Sequence, residues 1–148
     1  MAQGTLTPAA QLASSQLNGV DAMTYLLDWT QRTGQWTEIL ALTKRLDPLL
    51  SLGGRSLGGG WEQWQQVLEA HLQAAGQLRN LPAQAWALHQ LGTRSLAIGE
   101  VTQAATRLSQ ALGLRTQLGD RAGAAVTRHN LGLIPMPVRT GEGATPIT

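Results

Sequence analysis

The chain contains no cysteine, so neither a disulfide staple nor a thiolate metal site is available, and stability has to come from packing. Phenylalanine is absent and Tyr25 is the single tyrosine. With β-branched residues sparse and Ala, Leu and Gln abundant, the composition suits packed helices rather than sheets. Charge is scarce as well: 14% of residues are charged and the formal net charge is +2, too little for a polyanion-binding field. No apolar run approaches the roughly 18 residues needed to span a bilayer. The first twenty residues lack the positive and apolar regions of a secretory leader, so a cytoplasmic location is expected. Catalytic signatures are missing too. There is no nucleophile elbow and no pair of carboxylates at helical spacing, and the acids read as scattered over caps and exposed positions. The expectation is therefore no enzyme, no catalytic residue, no cofactor and no metal.

What is present is repetition. Ala85, His89, Leu91 and Gly92 recur forty residues later as Ala125, His129, Leu131 and Gly132. The same offset carries Gly59 onto Gly99, Gln63 onto Gln103, Leu68 onto Leu108, Leu72 onto Leu112, and Gln77 and Leu78 onto Gln117 and Leu118. A period of this size marks a stacked architecture, in which each supersecondary unit buries its apolar face on the next and a surface is left for binding.

Helical spacing organises the rest. Asp21 is placed to cap a helix bearing Met23, Leu26, Leu27 and Thr30 that Gly34 stops. Trp36, Ile39, Leu40, Leu42 and Leu46 line a second helix, which Pro48 is expected to break or bend. The glycine-rich stretch 53–60 reads as a loop; a phosphate-binding loop needs Lys-Ser/Thr after its glycines, where Trp61 and Glu62 stand. Trp61, Trp64, Leu68, Leu72, Ala75 and Leu78 share one face of the next helix. Pro82 opens another that runs to about Ile98. Ala104, Ala105, Leu108, Ala111, Leu112 and Leu118 line its successor, and a final helix ends at Pro135. The expected organisation is a flexible arm over 1–20, a repeat domain over 21–134 and a disordered tail over 135–148.

Leu88-x2-Leu91-Gly92-x2-Ser95 followed by Ala104-x3-Leu108 resembles the tetratricopeptide repeat, written W-x2-L-G-x2-Y and then A-x3-F. A glycine inside a helix costs about 1 kcal/mol relative to alanine, so Gly92 and Gly132 are expected to lie against a neighbouring helix. The next copy departs from the pattern, with Arg128 at the first large apolar position and Pro135 at the aromatic one, so it reads as a terminal capping helix. Longer strings, Trp61-Glu62-Gln63-Trp64, Ala85 to Arg94 and Leu118 to Leu131, are similar to the C-terminal repeats of bacterial STAND signal-transduction ATPases, whose nucleotide-binding domain is of NB-ARC type. The resemblance implies an all-α fold of antiparallel hairpins stacked in a short right-handed α-solenoid, acting as a scaffold or sensor. The phosphate-binding signature of the ATPase domain is not in this sequence.

On such hairpins the first helix of each repeat lines the concave face, which nominates Trp86, His89, Thr93, Val126, His129 and Leu133 as partner-binding residues for a peptide or a partner domain, an NB-ARC-type ATPase domain among them. For each histidine the competing role is a bond to a neighbouring helix or plain exposure; neither has the companion one turn away that a metal site prefers. Carboxylate capture would fall to Arg94, Asn130 and Gln90, an incomplete set. Two alternatives stand beside protein binding: nucleic-acid contact through Arg107, Arg115, Arg121, Arg128 and Arg139, and self-association through an uncovered helix face.

Overall fold

The computed structural model describes residues 19–53 and 60–135. Six α-helices account for nearly all of them: α1 (Gly19–Thr33), α2 (Trp36–Gly53), α3 (Gly60–Gln77), α4 (Leu81–Ala97), α5 (Val101–Gln117) and α6 (Arg121–Gly132). No strand occurs among the described residues. The expected arm, glycine-rich loop and tail fall largely on residues 1–18, 54–59 and 136–148, which lie outside the described residues. Two boundaries shift: α1 starts at Gly19 rather than Asp21, and Gly53 and Gly60 are helical.

Turns follow from local chemistry. Asn80 accepts from the Ala83 N–H at 3.0 Å with Pro82 in the first turn of α4, and Asp120 accepts from the Gly123 N–H at 2.9 Å to start α6, satisfying donors that a helix start leaves open. Gly119 closes α5 at φ +72°, and Arg79 occupies the equivalent position forty residues earlier at φ +52°. A left-handed backbone is strained for a residue with a side chain. Of the two expected effects of Pro48, a break does not occur: α2 continues through it. Leu50, two residues beyond, is buried in the core, and that anchorage holds the last turn despite the missing donor.

Each helix packs on the one that follows it, α4 with α5 most extensively, and α1 lies against both α2 and α3. A continuous core joins Leu27 of α1, Ile39 and Leu50 of α2, Trp64, Val67, Leu68, Ala70 and Ala74 of α3 and Leu91 of α4. In the second half Ala104, Leu108 and Ala111 are fully buried. So many buried alanines let helix backbones approach closely, which is why a chain with no phenylalanine still closes its interior.

Polar side chains tie each helix to the one two places along. Gln31 of α1 bonds Gln73 of α3, Gln90 of α4 donates to Asp47 of α2, Arg107 of α5 reaches Glu69 of α3, and Asn130 of α6 donates to Thr93 of α4. Gln90 and Asn130 are forty residues apart, so one repeat position supplies a carboxamide that reaches back to the preceding alternate helix on both occasions.

The two equivalent glycines part company. A Cβ added at Gly92 would lie 2.6 Å from Leu108 Cγ and 3.1 Å from the Leu108 backbone nitrogen, whereas nothing lies within 4 Å of one added at Gly132. The expectation that Gly132 receives a neighbouring helix is overturned, because no helix follows α6 among the described residues to cover it. Gly92→Ala is therefore expected to destabilise by about 1–3 kcal/mol. Gly132→Ala should be neutral, or stabilising by up to about 1 kcal/mol. Urea titrations of both variants check this, and equal losses would contradict the asymmetry. The Gly92→Ala penalty should shrink in a Leu108→Ala background, since the two closest atoms, both in the Leu108 side chain, are then gone and only the backbone nitrogen remains.

Candidate functional site: a groove between the second and fourth helices

Trp86 lies on the first turns of α4 and faces α2. Around it Thr37, Leu40, Ala41, Lys44 and Arg45 of α2, His71 of α3, Asn80 in the α3–α4 turn, and Pro82 and Ala83 line an open groove of about 570 Å³. The Trp86 ring is placed by two neighbours. His71 stacks on it at a tilt, with centroids 4.5 Å apart, and the Lys44 ammonium stands 5.0 Å from its centroid. A cation over an indole face contributes about 0.5–1 kcal/mol where exposed, and it also fixes the ring's orientation.

The histidine beneath is itself fixed. His71 is 2% exposed and its Nδ1 lies 2.7 Å from Thr43 Oγ1. Thr43 donates its own hydroxyl proton to the Ile39 carbonyl at 2.6 Å, so the hydrogen-bond network assigns the proton between ring and hydroxyl to Nδ1. Nε2 is then an acceptor. Burial, and next the nearby Lys44 ammonium, lower the His71 pKa to about 4, so the ring is neutral at pH 7.

Asp47, one turn beyond Thr43, departs from the expectation that the acids lie at caps and exposed positions. Its carboxylate is 6% exposed and accepts from Trp64 Nε1 at 2.7 Å and from Gln90 Nε2 at 2.8 Å. A buried charge is tolerated when it is hydrogen-bonded in this way. It joins α2, α3 and α4.

The remaining nominated residues divide between a buried seam and an exposed edge. His89 is 7% exposed at the α4–α6 seam, with Nδ1 3.0 Å from Thr127 Oγ1 and Nε2 3.5 Å from Asn130 Nδ2. Thr93 is part-buried and accepts from Asn130 at 3.0 Å. Arg115 donates to Thr127 Oγ1 at 2.7 Å and to the Gly123 carbonyl at 3.1 Å. Burial, and then the Arg115 charge, hold the His89 pKa at about 4. Val126 and His129 of α6 and Leu133 just past its end are all exposed, Val126 at 53% and Leu133 at 56%. The structure thus does not gather the six residues on one surface: Trp86 lines the groove, His89 and Thr93 join helices, and the other three face away from the core.

The groups nominated for carboxylate capture are all engaged internally. Arg94 donates to the Trp61 carbonyl at 2.7 Å, Gln90 holds Asp47 and Asn130 holds Thr93. Among the described residues no cluster of three or more His, Cys, Asp or Glu could hold a metal, and no helix is long and apolar enough to cross a membrane. Sequence reasoning missed His71, Lys44 and Arg45. The signal for His71 was present in Val67, Ala70 and Ala74, which make a second buried stripe on α3 and put the histidine between two covered faces. Comparison with known proteins finds no family model, no curated protein and no solved structure that matches the chain.

Proposed function

We propose that the chain is a non-enzymatic interaction module of tetratricopeptide-like hairpins, stacked in a short right-handed α-solenoid, that holds a peptide or partner domain in the groove between α2 and α4. The observation that carries this reading is Trp86, part-buried and clamped between His71 and Lys44 while still lining an open groove. A pre-oriented aromatic in a concavity is the usual anchor of a binding surface, since little side-chain entropy remains to be lost on contact. The alternating ties from α1 to α3, α2 to α4, α3 to α5 and α4 to α6 support the stacked arrangement. In each forty-residue period the helix starting near Leu81 or Arg121 would be the groove-forming one, and α2 would precede them in that role. Similarity of the repeat strings to signalling ATPases makes an NB-ARC-type ATPase domain one partner of this kind.

The nucleic-acid alternative has less behind it. Of its arginines, Arg115 is turned into the α4–α6 seam, Arg107 reaches Glu69 and Arg139 lies outside the described residues, leaving Arg121 and Arg128 as the exposed pair on α6.

Ala41 is exposed on the groove wall, so Ala41→Trp fills the groove without disturbing the core. Peptides selected on the intact chain from a displayed random library should lose binding to this variant and keep it when Val126 is changed to Asp. Selected peptides indifferent to Ala41→Trp would place the binding surface elsewhere.

A further inference from the structure

Resting on the groove reading above, we infer that the occupant is an acidic, apolar peptide segment, in which a carboxylate meets Lys44 and Arg45 while a neighbouring apolar side chain fills the space between Leu40, Ala41, Ala83 and Trp86. Three features of the groove carry this.

The first is charge. Both cations in the lining come from α2, no Asp or Glu lines the groove, and neither Lys44 nor Arg45 has an ion-pair partner among the described residues. Elsewhere among those residues the two ion pairs, Arg32 with Asp28 and Arg107 with Glu69, show carboxylates available to other arginines. A positive rim over apolar walls favours an anionic visitor and disfavours a basic one.

A buried acceptor is the second. His71 is buried at 2% exposed and lines the groove with Nδ1 committed to Thr43. Nε2 is the ring's other polar atom, on a residue that lines the groove. A neutral ring holding its proton on Nδ1 offers Nε2 only as an acceptor. A donor brought to the ring, such as a peptide N–H, suits that acceptor.

The third is the state of Trp86. With Lys44 over the indole and His71 packed against it at a tilt, a nucleobase stacking there competes with contacts already made, which favours an aliphatic side chain. Anion, N–H donor and aliphatic group together describe a peptide with an acidic residue beside a large apolar one.

The test uses the full chain and synthetic heptapeptides labelled at the N-terminus: alternating Leu and Glu, its Leu and Gln counterpart, and its Leu and Lys counterpart, each with an amidated C-terminus, plus the Leu and Gln peptide with a free terminal carboxylate. Fluorescence anisotropy reads binding. The Leu and Glu peptide should bind at least about tenfold more tightly than either counterpart. That advantage should vanish in the Lys44→Ala/Arg45→Ala variant, whose fold is checked by circular dichroism, and persist in Lys44→Arg. The free-terminus arm shows whether a terminal carboxylate serves as well as a side-chain one; gain of binding there assigns the cations to a chain end. Equal binding of acidic and neutral amidated peptides, with both lost on Ala41→Trp, overturns the acidic occupant and leaves the groove in place. Binding indifferent to Ala41→Trp overturns both readings. Failure of both carboxylate-bearing peptides to bind at millimolar concentration overturns the acidic occupant.

Discussion

Acidification from about pH 7.5 to about pH 4.5 is expected to remove several kcal/mol of folding stability, through two histidines that are buried neutral. His71 and His89 both have their pKa lowered from 6.5 to about 4, by burial first and by a neighbouring cation second, Lys44 for one and Arg115 for the other. The sign follows from proton counts. Between these pKa values the unfolded chain binds a proton at each histidine and the folded chain does not, so stability is fully present above pH 6.5 and is lost progressively as pH falls towards 4. Each histidine contributes about 3 kcal/mol to this loss, so the pair rivals the whole margin of an ordinary domain, about 5–15 kcal/mol. Denaturant titrations across the window, on the wild type and on His71→Gln and His89→Gln, measure it. Each substitution should flatten the dependence by roughly half. Parallel curves for the wild type and the double variant would show that the two rings carry none of it.

Truncating the interior gives the second large effect. Leu68 and Leu108 are both fully buried and occupy the same position in successive repeats, Leu68 in the first-half core beside Ile39 and Trp64, Leu108 against Gly92. Replacing either by alanine should destabilise by about 2–5 kcal/mol, from lost transfer energy and the cavity left behind. Leu133→Ala is the comparison: 56% exposed, it should change stability by less than about 0.5 kcal/mol. Thermal melting and urea midpoints read both, and a Leu108→Ala protein that melts with the wild type would mean that the α4–α5 pairing is misassigned.

Much of the helix order was legible because the forty-residue repeat and the capping residues act locally. Asn80 and Asp120 bond backbone groups three residues away, and Gly34 and Gly119 stop their helices at positive φ. The groove was legible only through Trp86. Its floor and rim depend on how α2 meets α3 and α4, which no spacing along a single helix encodes. Nothing in the spacing of α3 announces the partner of His71, because Thr43 stands twenty-eight residues earlier on α2. Asp47 looked like a surface acid until Trp64 and Gln90 closed on it. Pattern matching also made His89 and His129 equivalent, yet the first is enclosed at the α4–α6 seam and the second is exposed. The difference arises because α6 covers α4, and no described helix covers α6.

Thr43 and His71 join α2 to α3, and the same imidazole is the bed on which Trp86 rests. Widening the cleft by sliding α2 outward would stretch that 2.7 Å link before it freed any room. The cleft is accordingly held at its base, and in the proposed binding role size selection would fall to that base and charge selection to Lys44 and Arg45 at the rim.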